Sequence, residues 1–114
     1  MAEVDSRLID VASALARVGG NEGLFKRLLG KFEASVDIDG FNAAIASQDY
    51  VTAGEIVHAA KGIAGNLSLT YFFTESNTLM DQLRNGGTPQ EANIGLFRTS
   101  YAETLKAVND FLAE

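Results

Sequence analysis

A single proline, Pro89, interrupts the 114 residues, and between turn signals the apolar side chains recur every three or four positions rather than every second one. That period belongs to amphipathic helices, and no stretch alternates as a half-buried strand would. The clearest run is Ile94, Phe97, Tyr101, Leu105, Val108 and Leu112, with Phe111 beside it. It is preceded by Thr88-Pro89-Gln90-Glu91, which offers threonine as N-cap, proline at the first helical position and glutamate at the third, where a capping box places it. The chain is therefore expected to be all-α.

The remaining segments follow the same logic. Residues 1–6 are expected to fray, and Asp5 or Ser6 caps a short helix to about Val18 with Leu8, Val11, Ala12 and Leu15 on one face, stopped by Gly19-Gly20. Asn21 caps the next helix, whose Leu24, Phe25, Leu28, Leu29 and Phe32 keep the helical spacing. Gly20-Asn21-Glu22-Gly23 lacks the Gly-Lys-Ser/Thr of a phosphate loop and reads as capping. Asp37-Ile38-Asp39-Gly40 is either a kink or a short break, after which Phe41, Ala44 and Ile45 resume the pattern. Its two acids lack the closing glutamate of a calcium loop and read as a solvated turn. Asp49 caps the following helix. Thr70 is expected to cap a further one, with Phe72, Phe73, Ser76, Leu79, Met80 and Leu83 as its core stripe and Asn85-Gly86-Gly87 as its end. Short loops and four substantial helices suggest one domain, residues 1–114: an antiparallel four-helix bundle with an additional short N-terminal helix.

Residues 51–69 stand apart, because they hold the only histidine. Projected at roughly 100° per residue, Ile56, Ala60, Ile63 and Leu67 form one stripe, while Gly54, Glu55, His58, Lys61, Gly62 and Gly65 form the opposite one. Each glycine inside a helix costs about 0.5–1 kcal/mol relative to alanine, and fold stability alone gives no reason to carry three of them. Bare backbone around an imidazole held on a rigid helix would let another molecule approach it. Gly54, Glu55, Gly62 and Gly65 are accordingly the candidate docking surface for a partner.

His58-x-x-Lys61-Gly62, followed by Gly65 and Leu67, resembles the signature of histidine-containing phosphotransfer (HPt) domains. Gly19-Gly20-Asn21 with Leu24, Leu28 and Phe32 is similar to the start of that family's first long bundle helix, so the resemblance covers nearly the whole chain. Ser68 departs from it: many members carry glycine ten residues after the histidine, which bears on the end of the helix rather than on the chemistry at its middle. The resemblance implies a phosphorelay intermediate. His58 would accept a phosphoryl group from an aspartate of one response-regulator receiver domain and pass it to another, with a hybrid sensor histidine kinase as a further partner.

Lys61, one turn on, would compensate charge on the phosphoryl oxygens; the plainer reading is a solvated lysine paired with Glu55 or Glu33. The chain would bind no cofactor, and no acidic cluster surrounds His58, so Mg2+ is expected from the partner receiver. It would be a carrier rather than an autonomous kinase. Two alternatives stay open: the histidine-bearing domain of a chemotaxis-type kinase, phosphorylated by a separate ATP-binding domain, and a non-catalytic helical adaptor.

Other chemistry is poorly served. Glu55-x-x-His58 is half of a di-iron bundle motif, but one histidine cannot supply the second half. No serine has a histidine placed to activate it other than His58 itself. Nine basic residues against fifteen acidic ones give a net charge of −6, which with no basic cluster argues against a nucleic-acid partner. There is no cysteine, hence no disulfide or thiolate metal site. The longest uncharged run, residues 62–74, is polar in places and well short of the ~20 apolar residues of a spanning helix. The N-terminus is acidic from Glu3, unlike a signal peptide. A cytoplasmic monomer without membrane insertion is expected.

Overall fold

The computed structural model describes residues 4–114; of the stretch expected to fray, residues 1–3 lie outside the described residues. Among the described residues the secondary structure is entirely helical. In chain order the helices are α1 (Val11–Arg17), α2 (Glu22–Leu29), the single turn α3 (Phe32–Ser35), α4 (Ile38–Ala46), α5 (Tyr50–Asn66), α6 (Thr70–Leu83) and α7 (Glu91–Leu112), with a 3-10 turn at Arg84–Gly86. No helix among the described residues is long and apolar enough to cross a membrane.

Side-chain caps set most helix starts. Asn21, Asp37 and Asp49 accept from the backbone N–H groups of Leu24, Gly40 and Thr52 at 3.0, 2.9 and 3.2 Å, each cap contributing about 1 kcal/mol. The interruption at Asp37 is a true break, since Val36 is extended and a new helix begins behind the aspartate.

Helix ends share one geometry. The N–H groups of Gly20, Asp49 and Leu69 reach back to the carbonyls of Leu15, Ala44 and Ala64 at 2.7, 2.8 and 2.9 Å. Gly19, Gln48 and Ser68 just before them have φ of 64°, 60° and 56°. These are Schellman ends, whose left-handed residue is usually glycine. Ser68 thus occupies a glycine-type position, and α5 stops at Asn66 rather than at Leu69.

Three expected starts are wrong, one displaced to a later local cap and two displaced by contacts with another segment. Asp10, not Asp5 or Ser6, caps α1, accepting from the Ser13 N–H at 3.1 Å, and this phase leaves Ala12 exposed. Residues 5–9 instead form a turn that clasps the start of α6. There the Tyr71 N–H donates to the Arg7 carbonyl at 2.6 Å, the Thr70 hydroxyl donates to the same oxygen at 2.7 Å, and Arg7 lies over the Tyr71 ring at 5.6 Å. Thr70 is thereby the first residue of α6, with Leu69 as its N-cap and no side-chain cap. At α7 the Thr88 capping box does not form. The helix begins behind Gln90, whose N–H is accepted by Gln82 Oε1 of α6 at 2.8 Å, while Gln82 Nε2 donates to Asn93 Oδ1 at 2.7 Å.

The buried side chains form one cluster dominated by aromatic rings. Phe41 and Phe97 meet at 4.6 Å between centroids, Phe72 and Phe97 at 5.2 Å, and Phe32 and Tyr101 at 5.6 Å. These contacts tie α3, α4, α6 and α7 together, and burying each phenylalanine contributes about 1.5–3 kcal/mol. Helix α6 lies between α5 and α7, and α4 packs on the other flank of α5. Gln82 near Asn93 and Phe72 near Tyr101 mean that α6 and α7 run in opposite directions.

Candidate functional site

Helix α5 carries the site. Asp49 anchors its start through the Thr52 N–H and through the Thr52 hydroxyl, which donates at 2.7 Å; these two bonds, hydroxyl first, hold the Asp49 carboxyl below its ordinary pKa of 3.8. The helix buries Ala53, Gly54, Val57, Ala60 and Ala64, so its core stripe is rotated from the expected one, with Ile56 and Ile63 only half-buried. The small residues let α4 and α6 close on both flanks of α5, and the wide apolar stripe of a helix with a single neighbour does not apply.

His58 sits mid-helix with its side chain exposed, and Glu55, Ala59 and Gly62 are exposed with it. At Gly62 a Cβ would meet nothing within 4 Å, so the backbone beside the imidazole is open. The other two glycines behave differently. Gly54 is buried, and a Cβ there would stand 3.6 Å from Leu83 Cβ; it serves the close approach of α6 and does not belong to the exposed docking surface. Gly65 lies under Phe73, whose Cε2 would be 3.3 Å from a Cβ.

Lys61 is half-buried and places Nζ 5.9 Å from the Phe73 ring centroid. Among the described residues it pairs with neither Glu55 nor Glu33. Its ammonium therefore leans from α5 toward the Phe73 ring of α6, from a position one helical turn after His58.

Two grooves flank His58. One, of about 300 Å3, is mostly apolar and is lined by Val51, Gly54, Glu55, Met80 and Leu83 with His58 at its edge. The other, of about 490 Å3, runs from His58, Lys61, Gly62 and Gly65 past Phe73 to Ser13 and Arg17 of α1. Spacing could not find Phe73, which is 37% exposed although it was expected in the core; of two adjacent aromatics only Phe72 can face inward. Ser13 and Arg17 carry no signal, being brought in by the chain fold alone. Among the described residues no group of three or more acidic or histidine side chains could hold a metal ion.

Comparison with family models, with curated proteins and with solved structures gives no match. The functional reading therefore rests on the residues and their geometry.

Proposed function

We propose that this protein is a phosphorelay intermediate of the HPt type, in which His58 carries a phosphoryl group between receiver-domain aspartates. The observation that supports the reading best is the pairing of an exposed His58 with open backbone at Gly62 and an ammonium at Lys61 on one face of a capped, 17-residue helix. In this reading α2, α3 and α4 together act as an interrupted first helix of an antiparallel four-helix bundle completed by α5, α6 and α7, with α1 as the additional N-terminal helix. The protein works as a cytoplasmic monomer.

The unprotonated imidazole nitrogen of His58 attacks phosphorus in line with the acyl-phosphate oxygen. The N–P bond forms as the O–P bond breaks, and the electron pair leaves with the partner's carboxylate; return transfer reverses these steps. The three equatorial oxygens carry the charge throughout, so positioning and charge compensation dominate the barrier. Lys61 supplies one cation, and Mg2+ held by the receiver supplies the other. Gly62 keeps the approach to the imidazole clear.

The test is incubation of the protein with receiver domains charged by acetyl phosphate and, separately, with ATP and histidine-kinase domains. Acid-labile, base-stable label on wild type from receivers, and none on His58→Gln, is the expected result. The variant should melt within ~0.5 kcal/mol of wild type, as exposed helix positions usually do. Label from an ATP-binding kinase domain alone would favour the chemotaxis-type alternative, and no label from either would leave a helical adaptor.

A further inference from the structure

We propose that Arg17 of α1 is a specificity-determining contact for an acidic face of the partner protein, engaged along the larger groove that begins at His58. The inference deepens the phosphorelay reading and rests on it. In a chain of net charge −6, this groove is lined by two cations, Arg17 and Lys61, and by no carboxylate. Elsewhere Arg7, Lys26, Arg84 and Lys106 are each engaged by an aspartate or glutamate, Arg98 donates to Asn42 and lies over the Phe41 ring, and Arg27 and Lys31 share with Arg17 the lack of an ion pair among the described residues but line neither groove beside His58. Arg17 makes no ion pair among the described residues, and Lys61 faces an aromatic ring. A concave, positive strip on an acidic protein concentrates anionic partners.

Position divides the labour between the two cations. Arg17 also lines the adjoining depression with Ile63, Asn66 and Leu67, which places it beside the C-terminal end of α5. Asn66 is about 12 Å along the axis from His58 at a rise of about 1.5 Å per residue, whereas Lys61 is about 4.5 Å away. Lys61 is thus within reach of a phosphoryl group on the imidazole, and Arg17 meets whatever surrounds that group on the partner. The strip offers no carboxylate of its own to compete for acidic side chains on the partner's rim, and a rim cation acts there through its charge rather than through one fixed two-pronged geometry. The α1 wall is held in place for this contact: the Asp10 N–H donates to the Ser68 carbonyl at 2.9 Å, and the Ser68 and Ser13 hydroxyls meet at 3.1 Å.

A charge on the rim of an interface acts chiefly on association and its salt dependence. The experiment measures the second-order rate of phosphoryl transfer to His58 from an acetyl-phosphate-charged receiver domain, for wild type, Arg17→Glu, Arg17→Gln and Arg17→Lys, at low and high NaCl. Phosphoramidate, which phosphorylates an accessible imidazole with loss of ammonia and needs no docking, serves as the second donor. Arg17→Glu is expected to be about tenfold slower with the receiver at low salt and Arg17→Lys close to wild type, the differences closing near 0.5 M NaCl, where the screening length falls to a few ångströms. Phosphoramidate labelling should stay within about twofold of wild type throughout. If the glutamate variant melts lower, Arg17→Gln carries the same comparison with a smaller expected loss. Unchanged receiver kinetics overturn the proposal, as does an equal loss with phosphoramidate, which would place Arg17 at the phosphoryl group. Wild type labelled by phosphoramidate but by no receiver would instead overturn the phosphorelay reading, and this inference with it.

Discussion

The Phe73 ring closes over Gly65, so that a Cβ at position 65 would stand 3.3 Å from Cε2 and 3.4 Å from Cδ2, whereas one at Gly62 would meet nothing within 4 Å. Two glycines that share a helix face thus have different reasons to be glycine. Gly62→Gln is expected to leave stability equal or raise it by up to ~1 kcal/mol through helix propensity, while blocking transfer to His58, because its side chain lies one turn from the imidazole. Gly65→Gln must displace Phe73 and is expected to be about 1 kcal/mol less stable than Gly62→Gln. Thermal melts of both variants beside a receiver-to-His58 assay check this; equal melts would return Gly65 to the open surface.

Lys61 joins packing to chemistry through the same ring. Lys61→Ala removes a partly exposed cation–π contact worth about 0.5–1 kcal/mol and a cation near the phosphoryl oxygens. Transfer should slow about tenfold, a modest loss because the partner's Mg2+ shares the charge. Lys61→Arg should restore most of the rate. Quench-flow transfer and the lifetime of phosphorylated His58 are the measurements, and an alanine variant unchanged in both would make Lys61 a surface residue only.

Gln48 and Ser68 test the helix ends. A left-handed conformation costs an L-residue about 1–2 kcal/mol, of which the greater freedom of unfolded glycine takes back part. Gln48 is exposed, so Gln48→Gly is expected to stabilise by about 0.5–1 kcal/mol. Ser68→Gly gains the same relief but loses the hydroxyl contact with Ser13, worth about 0.5–1.5 kcal/mol, and should come out near neutral. Urea midpoints for the two variants decide it, and a larger gain at Ser68 would show that the link to α1 contributes little.

Asp49 gives a pH signature. Its folded pKa lies below 3.8 because the Thr52 hydroxyl and N–H bond to the charged form. The ionised carboxylate therefore stabilises the fold at pH above the unfolded value, and the contribution is lost as pH falls through the lower, folded pKa. Asp49→Asn keeps a cap without the charge, so its melting deficit should be present at pH 7 and shrink below about pH 4. A deficit independent of pH would assign the effect to shape alone.

Much of the secondary structure was legible in residue spacing. The caps at Asn21 and Asp49, the stop at Gly19-Gly20 and the exposure of His58 all follow from interactions within about four residues, which is the range over which sequence and helix geometry are directly linked; the interruption at residues 37–40 was legible too, but not that Asp37 caps a new helix there. The starts at Thr70 and Thr88 were misread for the complementary reason. Their capping groups were overridden by Arg7, 63 residues away, and by Gln82, which reaches α7 across the α6–α7 turn.

The sequence by itself determined that the chain is helical, roughly where its helices begin and end, and that its one histidine lies on a helix unusually rich in glycine, because those properties are set by period and by local hydrogen bonds. Tertiary structure decided which face of that helix is bare. Once α4 and α6 pack against α5, Gly54 is covered by Leu83, Gly65 by Phe73, and only Gly62 stays open. It also decided that Arg17, on a different helix, shares a groove with His58. Such neighbours depend on how separate helices are docked through a common core, and no spacing along one helix encodes that.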